Sequence, residues 1–256
     1  MKEDKKSVDF GHARVKISEK SGLVREVFSE VSETYDVFDD VASLGFHRIW
    51  KKYAIWLLNL KSGEILLDVA SGSGDLAITA TELVKPAGTV VMCDINDRML
   101  EHGRNRCLDE GKLIPLVKAN AESLPFMDNS FDKLTIGFGL RNITDKTKAL
   151  SEFKRVLRPG GKALILEFSQ MSEGNPIKKV YDWYSFNILP KLGELTAGKS
   201  GPYTYLVESI REYPGPYKIS ELLRSAGFSS VRFQPLFPGG VTVHQGTKGS
   251  HFLKGS

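Results

Sequence analysis

The stretch Ile65-Leu66-Leu67-Asp68-Val69-Ala70-Ser71-Gly72-Ser73-Gly74-Asp75 reads as a strand, a glycine turn and the start of a helix, and the rest of the chain can be arranged around it. Ile65, Leu66 and Leu67 make the short apolar run of a strand buried on both faces, and Leu76, Ile78, Ala80 and Leu83 follow at roughly helical intervals. Gly72 and Gly74 mark the bend, where backbone must turn sharply or approach a ligand closely. The helix that starts there points free N–H groups back at the strand end. This is the layout of a cofactor site; glycines that only turn the chain are the plainer alternative.

Two cofactor classes compete for such a turn. Gly72-Ser73-Gly74-Asp75-Leu76-Ala77 also satisfies the dinucleotide fingerprint G-x-G-x-x-A, with Asp94 at the spacing of a ribose-binding carboxylate. Charge argues against a dinucleotide, because Asp68 and Asp75 would repel a pyrophosphate and attract a ligand bearing a sulfonium and an ammonium. S-adenosylmethionine is such a ligand.

With 256 residues, 41% of them hydrophobic and 26% charged, the chain suits one large α/β domain. No apolar run approaches the ~20 residues of a membrane span, and the charged opening Met1-Lys2-Glu3-Asp4-Lys5-Lys6 predicts no secretory signal. Cys93 and Cys107 have no Cys or His partner at ligand spacing, so free thiols in a cytoplasmic protein and no metal site are expected. The net charge of +4 is scattered along the chain, and no nucleic-acid partner is expected.

Outward from the turn, residues 1–20 are polar and are expected to form a mobile tail, followed by one domain over 21–246 and a frayed end over 247–256. Leu23, Val27 and Val31 suggest one helix before the first strand, and Ile49, Trp50, Tyr53, Ala54, Leu57 and Leu58 a second. After the turn, strands are predicted at Gly88–Asp94, Leu113–Val117, Phe131–Ile136 and Lys162–Phe168, with helices at Met99–Glu110 and Lys146–Leu157. Arg158-Pro159-Gly160-Gly161 reads as a turn. This alternation predicts a parallel sheet covered on both faces. Beyond it, Ile177–Leu189, Tyr205–Arg211 and Ile219–Ala226 read as helices, Leu192–Tyr203 as a loop with short helical pieces, and Ser230–Pro235 with Val241–Gln245 as an antiparallel finish.

Several stretches together resemble the quinone-biosynthesis C-methyltransferases, which act on demethylmenaquinol and on the methoxy-polyprenyl-benzoquinol precursor of ubiquinone. Tyr35-Asp36-Val37-Phe38-Asp39-Asp40, then Ser43 and His47-Arg48-Ile49-Trp50-Lys51, resembles the family's first signature. Arg155-Val156-Leu157-Arg158-Pro159-Gly160-Gly161, ending in Leu166-Glu167-Phe168-Ser169, resembles its second. Asn120-Ala121-Glu122-Ser123-Leu124-Pro125-Phe126, Phe138-Gly139-Leu140-Arg141-Asn142 and Tyr205-Leu206-Val207-Glu208-Ser209-Ile210 stand in the expected order. The family usually has methionine and asparagine in place of Phe38 and Asp39, and often serine in place of Gly137.

The resemblance implies the Rossmann-like class I methyltransferase fold, an α/β structure with a seven-stranded, mostly parallel sheet, helices on both faces and additional N-terminal helices. It places S-adenosylmethionine at the carboxyl ends of the strands, as the general rule for open α/β sheets requires. Asp68, Gly72, Ser73, Gly74 and Gly137 would surround the methionine part, Asp94 would take the ribose hydroxyls, and Asn120 with Ala121 would border the adenine. Asp94 as a helix cap and Asn120 as a turn residue are the structural alternatives. Arg141, Asn142, Tyr35 and His47 are the candidates for preparing the acceptor carbon. Arg141 stays protonated and can hold an oxyanion or orient a water, while His47 carries the side chain used most often as a general base. A structural arginine bonded to a carboxylate, and a structural histidine on an amphipathic helix, are the alternatives for these two.

The implied acceptor is a polyprenylated quinol, to which Tyr181, Trp183, Tyr184 and Phe186 offer aromatic surface. A chain without a membrane span would meet it by transient contact at the inner face of the membrane, or within a homodimer or biosynthetic assembly. A methyltransferase for another small or lipid acceptor, and a cofactor-binding assembly subunit without catalysis, are the alternative functions. The Arg141-Asn142 pair speaks against the latter.

Overall fold

The structure is a computed structural model that describes residues 7–32, 37, 39–40, 43–171, 174–188, 191, 194 and 201–250. Its centre is β3 (Ile65–Val69), which pairs in parallel with β4 (Thr89–Asp94) on one side and β6 (Phe131–Gly137) on the other. β5 (Leu116–Lys118) lies outside β4, and β7 (Leu157–Phe168), β9 (Val241–Lys248) and β8 (Phe228–Leu236) lie beyond β6. The resulting order of the seven-stranded sheet is β5-β4-β3-β6-β7-β9-β8, with β9 antiparallel to both of its neighbours. The chain runs from β3 outward to β5 and then crosses back to β6, so β3 and β6 flank the switch point where open α/β sheets bind ligands.

Period-two side-chain alternation sends successive residues of the continuous apolar strands to opposite cores. Leu66 joins the core beneath α2 (Phe46–Leu58), α3 (Asp75–Val84) and α4 (Asp97–Asp109), while Leu67 joins the core beneath α5 (Lys146–Val156) and α8 (Pro216–Ser225). Leu164 and Leu166 face the first core, Ala163 and Ile165 the second. The first core also takes Leu206 and Ile210 of α7 (Gly201–Glu212).

Several boundaries differ from those read in the sequence. Within the expected tail, β1 (Ser7–Phe10) and β2 (Ala13–Lys16) form an antiparallel hairpin leading into α1 (Ile17–Val31). It is ordered by contacts remote in sequence: Phe10 stacks on Tyr205 with centroids 4.6 Å apart, and Glu208 accepts the His12 amide at 3.1 Å. The Arg158–Gly161 turn is absorbed into the irregular start of β7, with Gly160 at φ +81°. Leu113 stands 87% exposed outside β5, and β9 extends as far as Lys248 into the segment expected to fray. Of the expected loop Leu192–Tyr203, residues 201–203 begin α7, and α6 (Lys178–Asn187) starts one residue later than read.

The glycine turn is backed by a second glycine that lies inside a helix. A β-carbon on Gly103 of α4 would fall 2.6 Å from the Gly72 carbonyl oxygen and 2.8 Å from Met92 Cε. Alanine in a helix interior ordinarily gains about 0.5–1 kcal/mol over glycine, but here the backbone oxygen cannot yield. Gly103→Ala is expected to lower unfolding free energy by about 1–3 kcal/mol, the cost of overpacking, as read from urea denaturation.

Candidate functional site

After β3 the chain turns through Ala70 at φ +50°, Gly72 at φ +52° and Gly74 at φ +83°, left-handed conformations in which glycine meets least strain. Gly74 donates to the Ser71 carbonyl at 2.9 Å, and the Gly72 amide donates to Asp94 Oδ2 at 2.9 Å. Asp94 also accepts the Asn96 amide through Oδ1 at 2.9 Å, so one buried carboxylate ties the end of β4 to the turn after β3. Burial raises its pKa against these backbone bonds.

A cleft of about 820 Å³ opens at this edge of the sheet, between the turn, the ends of β4 and β6, and α1. Asp94, Asn120, Ala121, Gly72, Gly137 and Asn142 line it. Phe28, Val24 and Met99 give it apolar walls suited to a flat base. Asn96 holds α1 over this opening: its Nδ2 donates to the Arg25 carbonyl at 3.0 Å and to Ser29 Oγ at 3.1 Å. Its Oδ1 accepts the amides of Arg98 and Met99, so Asn96, not Asp94, caps α4. Asn120 serves both readings, since it lines the cleft while its Oδ1 accepts the Glu122 amide at 2.9 Å.

Through Ala70, Gly72, Gly137 and Phe138 the cleft shares walls with a smaller cavity of about 330 Å³. Lys51, Asp68, Ser71, Ser73 and Asp75 supply its polar lining. Asp68 Oδ2 and Ser71 Oγ are buried there without a hydrogen-bond partner among the described residues. An apolar slot, a buried carboxylate at its side and unsatisfied polar atoms at one end fit an adenosyl group joined to a zwitterionic amino acid.

Gly74 lies outside both cavities; it precedes α3 and faces Met92, whose Cε would lie 2.9 Å from an added β-carbon. Gly137 packs against Leu76, whose Cδ1 would lie 2.8 Å from an added β-carbon, so a larger residue there needs that side chain to shift.

Of the expected catalytic residues that lie among the described ones, Asn142 alone lines the cleft, and its Oδ1 accepts the Tyr205 hydroxyl at 3.0 Å. Arg141 departs from the expected orientation toward an acceptor. It is buried, its Nη1 lies 2.7 Å from Glu167 Oε1 and also donates to the Phe138 carbonyl, and its amide donates to Glu167 Oε2 at 3.0 Å. His47 is buried in α2 outside the cleft, with Nε2 2.8 Å from Asp40 Oδ1. Tyr35, and Phe38 among the family departures, lie outside the described residues.

Lys51 was not singled out in the sequence, although it ends the motif His47–Lys51. Its ammonium lies 2.7 Å from Asp39 Oδ2 and 2.6 Å from Asp75 Oδ2. Asp39, a family departure, is thus an ion-pair partner. Asp39, His47 and Asp75 have the donor types of a metal site, but the Lys51 ammonium already supplies the cation between the two carboxylates. Asp75 is also paired with Arg106 at 2.8 Å; burial pushes its pKa up, and the two cations more than offset this, holding it at about 2.

Asp68 behaves in the opposite way. Burial pushes its carboxyl up to about 7 against the hydrogen bond from Thr135 at 2.7 Å. The folded protein therefore holds this proton more tightly than the unfolded chain, whose carboxyl titrates near 3.8, and the Asp68 contribution to stability falls as pH rises between those two values. Relative to the parent, Asp68→Asn is expected to be more stable at about pH 8 than at about pH 4.5, by at least roughly 1.4 kcal/mol, one pKa unit. Urea unfolding of both proteins at the two pH values checks the sign.

Residues 14–248 match the ubiE/COQ5 methyltransferase family. A ubiquinone/menaquinone biosynthesis C-methyltransferase UbiE from Idiomarina loihiensis is 45% identical over 247 residues, covering 96% of this chain and 98% of its own. The enzyme of the same name from Yersinia enterocolitica is 46% identical over 248 residues, again 96% of this chain and 98% of its own. Among solved structures, a S-adenosylmethionine-dependent methyltransferase from Thermotoga maritima shares the fold with a TM-score of 0.63 at 20% identity, over 88% of this chain and 99% of its own. A Haemonchus contortus N-methyltransferase, solved with phosphomonomethylethanolamine and S-adenosylhomocysteine, shares it with a TM-score of 0.55 at 17% identity, over 75% of this chain and 50% of its own.

Proposed function

The chain belongs to the ubiE/COQ5 methyltransferase family, and from that membership we propose that it methylates a ring carbon of a polyprenylated quinol in ubiquinone/menaquinone biosynthesis. S-adenosylmethionine supplies an activated methyl on a sulfonium, a donor that needs no metal. Asp94 takes the ribose hydroxyls, Asn120 and Ala121 border the adenine, and Gly72, Ser73 and Asp68 face the amino-acid end. The observation that carries this reading is the pair of cavities that share walls at the switch point, with the buried Asp94 carboxylate lining the larger one.

What remains for the protein is to orient the acceptor and stabilise the negative charge that builds on a ring oxygen as the carbon becomes nucleophilic. Asn142 is the residue placed to do so: Tyr205 occupies its Oδ1 and fixes the amide, whose N–H groups are left to donate. Arg141 acts behind it as a positioning residue, pinning the Phe138–Asn142 segment to Glu167. Purified protein given labelled S-adenosylmethionine and a panel of reduced, demethylated quinols is expected to place label on ring carbon. Cofactor binding without transfer to any quinol would overturn the proposal.

The two neighbours then separate by readout. Asn142→Ala is expected to lower the single-turnover rate by roughly 10²–10³, the scale for one preorganised donor, with near-parental unfolding. Arg141→Ala is expected to cost about 3–5 kcal/mol of stability by leaving Glu167 buried without its partner, and Arg141→Lys to restore part of it.

No helix among the described residues is long and apolar enough to cross a membrane. The tail of such an acceptor is then met at the surface, and α6, which follows β7, exposes Val180 and Trp183 there. Weak, salt-sensitive sedimentation with anionic liposomes is expected, strengthened by a long-chain quinol. A protein that stays in solution with loaded vesicles at low salt would instead take its acceptor from a partner.

A further inference from the structure

Lys20, in α1, is 6% exposed and makes no hydrogen bond or ion pair with any described residue. It lines a chamber of about 320 Å³ enclosed by the hairpin, α1, α7 and the segment after β6. Tyr205, which lines the chamber and donates to Asn142 at 3.0 Å, forms the wall toward the cleft. Tyr213 is 5% exposed, and its hydroxyl is buried without a hydrogen-bond partner among the described residues. Lys146 Nζ donates to the carbonyls of Ile143 at 2.9 Å and Arg141 at 3.3 Å, which leaves one N–H unused.

These groups are donors in search of an acceptor. The Arg141 guanidinium, also on the wall, is committed to Glu167 at 2.7 Å. Of the two carboxylates on the wall, Asp9 is paired with Arg14 at 2.9 Å and Glu212 is exposed. Burial lowers the pKa of Lys20, and burial together with the charge of Lys20 lowers that of Lys146 to about 8, while Asp9 and Glu122 oppose both shifts without forming a hydrogen bond to Lys20. Burial keeps Tyr213 protonated, hence a donor. Two ammonium groups and an unsatisfied hydroxyl on one wall gain from an acceptor that bonds all three.

We propose that this chamber binds a small oxyanion of phosphate or carboxylate type between the ammonium groups of Lys20 and Lys146 and the hydroxyl of Tyr213. Once seated, it ties α1 and α7 to the segment that carries Asn142, through the bonds Lys146 makes to that segment's carbonyls. This site is separate from quinol methylation, and its test does not depend on activity.

The test is thermal denaturation of the full chain near neutral pH, with inorganic phosphate exchanged for chloride at constant ionic strength. The expected result is a saturable rise in Tm for the parent. Lys20→Met and Tyr213→Phe should weaken the apparent affinity, by about tenfold for the lost charge-assisted bond of Lys20 and by less for the hydroxyl. Lys52→Met, a change at an exposed lysine of α2, should leave it unaltered. Calorimetric binding of S-adenosylhomocysteine to Lys20→Met establishes that the variant is folded; if it is not, Tyr213→Phe decides. Acetate and sulfate in place of phosphate distinguish a carboxylate site from a tetrahedral-oxyanion site. No saturable rise with any of the three anions, or the same rise in Lys20→Met as in the parent, overturns the proposal.

Discussion

The amide of Gly72 is held 2.9 Å from Asp94 Oδ2, while the carbonyl of the same residue lies where a β-carbon on Gly103 would come within 2.6 Å. One peptide segment is thereby clamped between the end of β4 and the side of α4. The left-handed turn, the direction in which α3 leaves it and the depth of the cleft all depend on that clamp. A ligand adds to an arrangement whose backbone strain is already compensated by packing and hydrogen bonds.

Electrostatics around the turn are more finely divided than the number of acidic residues suggests. Asp75 is neutralised by Lys51 and Arg106 and sits at about 2, whereas Asp68, only a few residues earlier, is stripped of water and sits at about 7. The argument that acidic residues repel a pyrophosphate therefore rests on the ionised fraction of Asp68, and Asp75 adds little to it. Two carboxylates from one motif are given different work by their surroundings.

Much of the fold was legible because its signals are local. The apolar runs Ile65–Leu67 and Ala163–Leu166, the glycine turn and the helical spacing of Leu76, Ile78 and Ala80 all carry their structure within a few residues. The hairpin at Ser7–Lys16 was not legible, because its order comes from Tyr205 and Glu208, nearly two hundred residues away. The residues that line the cleft sit at strand ends and in the turns after them, so their juxtaposition could be read off the chain. The partners of Lys51 and Arg141 could not, since Asp75 and Glu167 are brought close only by the fold. His47 likewise meets Asp40 through Nε2, while its Nδ1 has no hydrogen-bond partner among the described residues.

Phe10 stacks on Tyr205, and Tyr205 holds Asn142. The hairpin is therefore two contacts away from the side of the cleft that Asn142 lines. An extension or fusion placed just ahead of it is not a remote alteration, because any tilt imposed on Phe10 passes through one phenol ring to the Asn142 amide. The amino-terminal hairpin, distant in sequence, thus belongs to the backing of the cleft wall.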